Sequence, residues 1–207
     1  MNDLLELADY RRRVQDLYAA VRSSTLSHPA RCQAFRLARD ELFRTHAQSA
    51  LSDAQKARFT GLRYFPYDPA FRFVVPVEAL PPQDAGALEV PLRDDGLVRL
   101  RRAGRVRFAA GGVAVALTLF WLEGYGGGLF LPFRDRTSAA ETYEGGRYLL
   151  DTIKGADLGT EGDRLVLDFN YAYNPSCAYN PRWDCPLAPP ENHVPVAIRA
   201  GEMRFPE

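Results

Sequence analysis

The sequence predicts an α+β protein in which N-terminal helices are followed by an antiparallel β meander that forms a roll, barrel or sandwich. Apolar residues recur every three to four positions in the first part of the chain. After Gly61 they fall into short runs separated by Gly, Pro and Asp. No segment between these runs reads as a crossover helix, so the strands should be antiparallel. We expect a helical segment at 1–60 and a β domain at 61–207, joined in one compact unit.

Three helices are predicted in the first segment. The first is an amphipathic helix of about five turns that ends at Ser23. Its apolar face carries Leu4, Leu7, Val14, Leu17, Tyr18 and Val21. The second begins at His28, where a following proline suits the first turn, and runs to about Thr45. Its apolar face carries Phe35, Ala38, Leu42 and Phe43. Ser52 and Gln55 have the spacing of a capping box, which begins a short third helix.

Nine short strands are predicted in the β domain. They span 71–77, 87–91, 97–102, 105–109, 113–122, 128–132, 147–153, 164–169 and 194–199. Glycine-containing connections at 94–96, 103–104 and 111–112 have the length of hairpin turns. The run 113–122 is apolar on both faces, so it should be the central strand of its sheet.

Charge and hydropathy exclude several classes of protein. The 26 basic and 26 acidic residues cancel, so no overall field attracts nucleic acid or an anionic membrane. The basic run 99–107 lacks the aromatic residues that stack on bases. The longest apolar run has about ten residues, short of the roughly 20 that span a bilayer, and the charged N-terminus is unlike a signal peptide. We therefore expect a cytoplasmic protein that binds neither nucleic acid nor membrane.

The sequence contains none of the common catalytic motifs. A P-loop, a dinucleotide glycine fingerprint, a nucleophile elbow, HExxH and paired CxxC are all missing. Common ATPases, dehydrogenases, α/β-hydrolases and zinc peptidases are therefore disfavoured, and no cofactor is expected. Whether the protein is an enzyme stays open at this point.

Polar residues collect instead in the C-terminal third. Arg134 and Arg147, with Tyr143 between them, could hold a carboxylate or phosphate through guanidinium forks. The alternative is that the two arginines pair with Asp135, Glu141 or Asp168 and only hold an irregular loop. Further candidates for ligand binding are Asn170, Tyr173, Asn174 and Asn192.

Three residues are candidates for catalysis: Asp168, Glu191 and Cys177. Asp168 ends an apolar strand and could act as a general base or orient an arginine. Glu191 lies in a stiff proline-rich segment, where it could instead accept hydrogen bonds from an arginine. The asparagines before prolines at 174 and 180 suit loop scaffolding through Asx turns.

The cysteine pair Cys177 and Cys185 admits several interpretations. Their spacing differs from that of structural zinc pairs, although His193 could add a third ligand. A disulfide is possible but unusual in the cytoplasm. A nucleophilic Cys177 would need a nearby histidine, and two packed thiols are the simplest reading.

Long motifs in this region resemble a known family. They are PFRDRTSAAETYEGGRYL, DFNYAYNPSCAYNPRWDCPLAPPEN and RAGE, and the upstream stretches ELFRTHAQSAL and FTGLRYFPYDPAFRF are similar as well. The chain from about 35 to 201 resembles the bacterial domain-of-unknown-function family numbered sixteen eighty-four, whose proteins are uncharacterised. Departures occur at 138–140 and at 193–194. The resemblance implies shared architecture but no activity, so function must be argued from residues.

Two hypotheses of function follow. The first is a β domain that binds a small anionic molecule, with or without converting it, through Arg134, Arg147, Asp168, Asn170 and Glu191. The alternative is a non-catalytic interaction module whose N-terminal helices mediate self-association. A third is thiol or zinc chemistry at Cys177 and Cys185.

Overall fold

Three helices form the N-terminal part of the chain, as the sequence predicts. The structure is a computed structural model that describes residues 2–94 and 96–206. The helices are α1 (Asn2–Ser23), α2 (His28–Thr45) and α3 (Asp53–Arg58). The predicted capping box begins α3: the Ser52 hydroxyl accepts the Gln55 N–H at 3.3 Å, and the Gln55 side chain accepts the Ser52 N–H at 2.8 Å. None of the described helices is long and apolar enough to span a membrane.

The buried faces of these helices differ from the predicted ones. In α1 only the second half is buried, through Tyr18 and Val21, and Leu4 is 75% exposed. In α2 the predicted Ala38 is exposed, whereas Arg36 and Arg39 are buried. The reason is that this face of α2 covers polar groups of the β domain, which apolar side chains could not satisfy.

Eight strands form two antiparallel sheets. The five-stranded sheet has the order β2-β3-β4-β5-β6, and the three-stranded sheet has the order β1-β8-β7. The first contains β2 (Ala87–Pro91), β3 (Leu97–Ala110), β4 (Val113–Leu122), β5 (Gly128–Phe133) and β6 (Arg147–Asp151). The second contains β1 (Arg72–Val75), β7 (Thr160–Glu161) and β8 (Arg164–Asp168). The predicted α+β class is confirmed, and the sheets form a sandwich-like arrangement, not a closed barrel.

The central position of β4 is also confirmed, because it pairs with β3 on one side and β5 on the other. The turn between β3 and β4 is made by Gly111 and Gly112, which have φ of 56° and 77°. Such paired positive φ values are those of a tight hairpin turn. The predicted turn at 94–96 falls between β2 and β3 in the chain and includes Asp95, which lies outside the described residues.

One core is shared by both sheets. Val106, Leu117 and Phe133 contribute from the larger sheet, and Leu167 from the smaller one. Phe169, which follows β8, is fully buried, and its ring centroid lies 5.0 Å from that of Phe133. The inward position of Phe169 directs the neighbouring Asp168 and Asn170 away from this core.

The predicted turn at 103–104 is wrong, because β3 continues through it as one strand with a register shift between Arg102 and Gly104. The segment after β1 pairs with β3 at this point, since Glu78 and Arg105 exchange backbone hydrogen bonds of 2.8 and 2.9 Å. A Cβ on Gly104 would lie 2.6 Å from Val77 Cγ1. The glycine therefore permits close approach of two strands and does not make a turn.

The predicted strand at 194–199 is an extended segment and not a strand. Its side chains alternate in burial, with Val194, Val196 and Ile198 inward, which explains the prediction. Its backbone is held by isolated hydrogen bonds, such as Val194 N to Arg134 O at 2.8 Å, and by side chains. The two-residue β7 is too short to have been predicted.

Replacing Gly201 by alanine should destabilise the protein strongly. Gly201 has φ of 76°, and a Cβ there would lie 2.5 Å from the Phe169 carbonyl oxygen and 2.6 Å from that of Ala172. We expect Gly201→Ala to lower the free energy of unfolding by at least about 3 kcal/mol in urea titrations. Gly162→Ala is the matched control, because its φ is 63° but no atom lies within 4 Å. It should cost only about 1–2 kcal/mol, and equal losses would show that close packing at Gly201 is unimportant.

Candidate functional site

Arg147 and Asp135 form a buried ion pair. The Arg147 side chain is 1% exposed, and its Nη2 lies 2.8 Å from Asp135 Oδ2. The same guanidinium donates to the carbonyl oxygens of Ile198 at 2.8 Å, Glu202 at 3.2 Å and Ala200. Asp135 Oδ2 also accepts the Ile198 N–H at 3.2 Å. These contacts match the loop-holding alternative for Arg147.

Asn192 and Arg134 lie in the same region and also contact the backbone. The fully buried Asn192 accepts the Thr118 N–H at 2.8 Å and donates to the carbonyls of Thr118 and Pro132. The Arg134 N–H donates to Asn192 O at 3.0 Å. Asn192 thereby connects β4, β5 and the proline-rich segment.

Asn174 belongs to a second buried cluster, centred on Glu202. Glu202 Oε2 accepts from Arg39 Nη2 at 3.1 Å and from the Asn174 N–H at 3.2 Å, and Oε1 accepts from the Tyr179 hydroxyl. The Arg39 guanidinium lies 5.2 Å from the Tyr173 ring centroid. Burial raises the pKa of Glu202, and the Arg39 charge opposes this. The cluster joins α2 to the C-terminal loops.

Glu191 and Tyr143 are placed elsewhere. Glu191 forms a two-pronged pair with Arg102, with Nε–Oε1 and Nε–Oε2 distances of 3.0 Å. Burial raises the pKa of Glu191, but hydrogen bonds from Arg102 and Thr118 outweigh it, and the net shift is downward. The Tyr143 hydroxyl lies 3.6 Å from Cys177 Sγ. His193 contacts the Ala188 carbonyl, and within residues 2–94 and 96–206 no group of three His, Cys, Asp or Glu side chains could hold a metal.

The predicted site residues therefore do not converge on one surface, but one of them lies in a pocket with residues that were not predicted. This pocket, the Asp168 pocket, has a volume of about 210 Å³ and lies where α1 ends, α2 begins and the smaller sheet reaches its edge. The polar side chains that line it are Arg22, Arg31, Arg72, Thr160, Glu161, Asp168 and Tyr171.

Asp168 is 2% exposed and is oriented by Asn170. Its Oδ1 accepts the Asn170 N–H at 3.0 Å and the Asn170 side-chain amide at 2.8 Å. Asn170 is itself held by the Asp68 backbone, accepting at 2.9 Å and donating at 2.8 Å. In the described part of the chain, Asp168 has no ion pair within 4.0 Å. Burial is the largest influence and raises its pKa, against the hydrogen bonds from Asn170 and the charge of Arg72.

Three polar groups around Asp168 are buried and lack a hydrogen-bond partner among the described residues: Arg31 Nε, Tyr67 Oη and Tyr171 Oη. Arg31 and Tyr171 line the pocket. Buried polar groups are normally hydrogen-bonded, so their unsatisfied atoms point to a polar occupant. Burial raises the pKa of Tyr67 to about 12, and the nearby Asp168 adds to this shift. Both hydroxyls thus keep their protons at neutral pH and can donate.

The guanidiniums of the Asp168 pocket differ in their partners. Arg22 pairs with Asp157 at 3.6 Å and Arg72 pairs with Glu161. Arg31 contacts His28, and none of the described carboxylates lies within 4.0 Å of it. Arg31 is therefore the guanidinium best placed to take an anionic ligand.

Sequence reasoning identified Asp168 but missed the groups that face it. Tyr171 could have been found, because it lies three residues after Asp168, the spacing of one short helical turn. The arginines carried no such signal. Arg22 and Arg31 belong to N-terminal helices that are distant from Asp168 in the sequence, and only the docking of those helices brings them to its pocket.

Comparison with known proteins adds a family but no activity. A model of the family described as "Protein of unknown function (DUF1684)" matches residues 57–203. The solution NMR structure of the uncharacterized protein from gene locus rrnAC0354 of Haloarcula marismortui is 33% identical, with a TM-score of 0.57. That match covers 84% of this chain and 92% of the other. None of the curated proteins matches the chain.

Replacing Asp168 by asparagine should leave the protein at least as stable as the wild type at pH 7. A carboxyl whose pKa is raised by folding contributes most stability below its unfolded pKa and loses it as the pH rises through the folded value. The asparagine removes this cost at neutral pH and can still accept from Asn170.

Asp135→Asn is the matched control in the same urea titrations. It should lower the free energy of unfolding by about 3–5 kcal/mol, because Arg147 would keep its charge without a partner. A large loss for Asp168→Asn would instead show that its carboxylate is a structural group.

Proposed function

Because the chain belongs to the DUF1684 family of unknown function, we propose its function from the geometry: the Asp168 pocket binds a small anionic molecule, and Asp168 exchanges a proton with it. The observation that carries this proposal is a buried carboxyl without a cationic partner, set in a pocket with three guanidiniums. We further propose that the protein is an enzyme, and this proposal rests on the same Asp168 carboxyl.

The preference for an anion follows from the charges around the pocket. Three arginines line it, and their carboxylate partners are Asp157 and Glu161 at its edge. When Asp168 is protonated, the arginines outnumber these carboxylates. A guanidinium presents a rigid fork of donors that matches carboxylate and phosphate oxygens, so Arg31 would contact the ligand and Arg72 would support its charge.

The role of Asp168 follows from its surroundings. Burial raises the pKa of Asp168, which brings its protonation closer to the range in which a general acid or base works. Asn170 holds one of its oxygens through two hydrogen bonds, so the other oxygen has a defined direction. The hydroxyl of Tyr171, which lines the pocket, would donate to the ligand and orient it beside this oxygen.

Other predicted ligand residues receive a structural role in this proposal. Arg147, Asn174 and Asn192 direct their hydrogen bonds to the protein itself. We assign them to holding the C-terminal loops, and we assign Glu191 to its pair with Arg102. The interaction-module hypothesis keeps one supporting feature, the exposed Leu4 and Leu5 at the start of α1.

Sulfate should bind in the Asp168 pocket and depend on Arg31. In NMR titrations at constant ionic strength, we expect amide shifts around Arg31, Asp168 and Tyr171. Arg31→Met should weaken sulfate binding about tenfold, the loss of one charge-assisted interaction. Arg107→Met is the control, because Arg107 lies on β3, pairs with Glu78 and does not line the pocket. Equal weakening in both variants, or shifts elsewhere, would contradict the proposal.

Sulfate binding should also tighten as the pH falls below 7 and through the raised pKa of Asp168, because protonation of Asp168 removes a negative charge from the pocket. Sulfate keeps its own charge over this range. The other titratable groups facing the pocket are His28, Asp157, Glu161 and Tyr67. Asp168→Asn should bind sulfate more tightly at pH 7 and lose most of the pH dependence. If the variant keeps the full dependence, His28 or the edge carboxylates are responsible and Asp168 is not the proton carrier.

A further inference from the structure

The thiols of Cys177 and Cys185 are neighbours in the structure. Both thiols are free and half-buried, and their mutual interaction is the largest influence on the pKa of each. Cys177 Sγ is also 3.6 Å from the Tyr143 hydroxyl. The third cysteine, Cys32, is on the buried face of α2, and burial raises its pKa to about 11. The pair is therefore chemically distinct from Cys32.

Cys185 lines a cavity that Cys177 does not line. This cavity, the Cys185 cavity, has a volume of about 240 Å³ and lies between α1 and the C-terminal loop. Its walls combine apolar and polar side chains: Leu7, Tyr10, Val14, Lys154, Trp183 and Asp184. Cys177 does not line this cavity and contacts Cys185 and Tyr143 instead. Cys185 would thus meet a molecule that enters the cavity, and Cys177 lies beside Cys185.

The groups around Cys185 favour its thiolate. The Cys177 thiol lowers the pKa of Cys185 most, burial opposes this, and the N–H groups of Cys177 and Ser176 and the Lys154 charge lower it further. Thiolates are the reactive form in exchange with disulfides. Cys177 is affected in the opposite direction, because the neighbouring Cys185 raises its pKa. The cavity decides their roles: Cys185 lines it and is placed to attack, and Cys177 lies beside Cys185 as the reserve thiol.

We propose that Cys177 and Cys185 are a redox-active dithiol, in which Cys185 attacks a low-molecular-weight disulfide in the Cys185 cavity and Cys177 resolves the product. In the first step, the Cys185 thiolate bonds to one sulfur of the small disulfide and the other sulfur leaves as a thiolate. In the second, Cys177 loses its proton to a leaving thiolate and attacks Cys185 Sγ, which releases the second half. The two protein thiols lose two electrons and two protons, and the small disulfide becomes two thiols.

The pairing of the two thiols makes the second step easier after the first. Once Cys185 is part of a mixed disulfide, its negative charge is gone. The main cause that raises the pKa of Cys177 is thereby removed, so Cys177 becomes a better nucleophile when it is needed. The proposal does not depend on the Asp168 pocket, which Cys177 and Cys185 do not line.

The test is the reaction of the full chain with one equivalent of dithiobis(nitrobenzoate), in a Cys32→Ser background. We expect two equivalents of coloured thiolate per protein and a product mass without an attached aryl thiol. Cys177→Ser should release one equivalent and keep the aryl thiol on Cys185. Cys185→Ser should react at least about tenfold more slowly, since the thiolate fraction falls about tenfold for each unit by which a thiol pKa is higher. Circular dichroism checks that each variant is folded.

The pH profile identifies the reactive thiol. The fast release should reach half its maximal rate below the ~8.5 expected of an unperturbed thiol. Lys154→Met should move this midpoint upward and slow the reaction at pH 7; the other charged groups facing Cys185, Arg11, Asp184 and Tyr10, are unchanged in that variant. A stable aryl adduct on the wild-type protein, or Cys185→Ser reacting as fast as the wild type, would overturn the proposal.

Discussion

The architecture of the C-terminal third depends on the buried ion pair between Arg147 and Asp135. These two side chains take the place of a partner strand, because they bind the N–H of Ile198 and the carbonyls of Ile198, Ala200 and Glu202. A buried ion pair adds little net stability, but it is costly to break, so it specifies one position for the segment that it holds. That position delivers the Glu202 side chain to Arg39, and the C-terminal segment thereby fastens α2 to the β domain.

The Asp168 pocket is a consequence of that attachment. The Asn170 carbonyl accepts from Arg36 Nη2 at 3.2 Å and lies 3.7 Å from Cys32 Sγ, so α2 rests directly on the residues that follow β8. Arg31 is one turn earlier on the same helix. When α2 docks, Arg31 is brought to the pocket that Asp168 lines. Helix docking and site formation are therefore one event.

Helix α1 borders both polar cavities. Its last turn contributes Val21 and Arg22 to the Asp168 pocket, and its first half contributes Leu7 and Tyr10 to the Cys185 cavity. Gly155 lies under the middle of the helix, where a Cβ would come within 2.2 Å of Gln15 Cγ. The glycine therefore permits the close approach of α1 to the turn that follows β6. The amphipathic pattern of α1, only half of which is buried, reflects this role as a cover.

The sequence by itself determined the local features of this protein. Helix limits followed from Ser52 and Pro29, the β3–β4 hairpin from two glycines, and the central strand from its unbroken apolar run. Asp168 could be selected because its polarity is unusual at the end of such a strand. What Asp168 faces, what Arg147 binds, and why 194–199 is not a strand were decided only by tertiary structure. Those contacts join residues far apart along the chain, and a side chain carries no local sign of the distant partner that the packing of helices and sheets will bring to it.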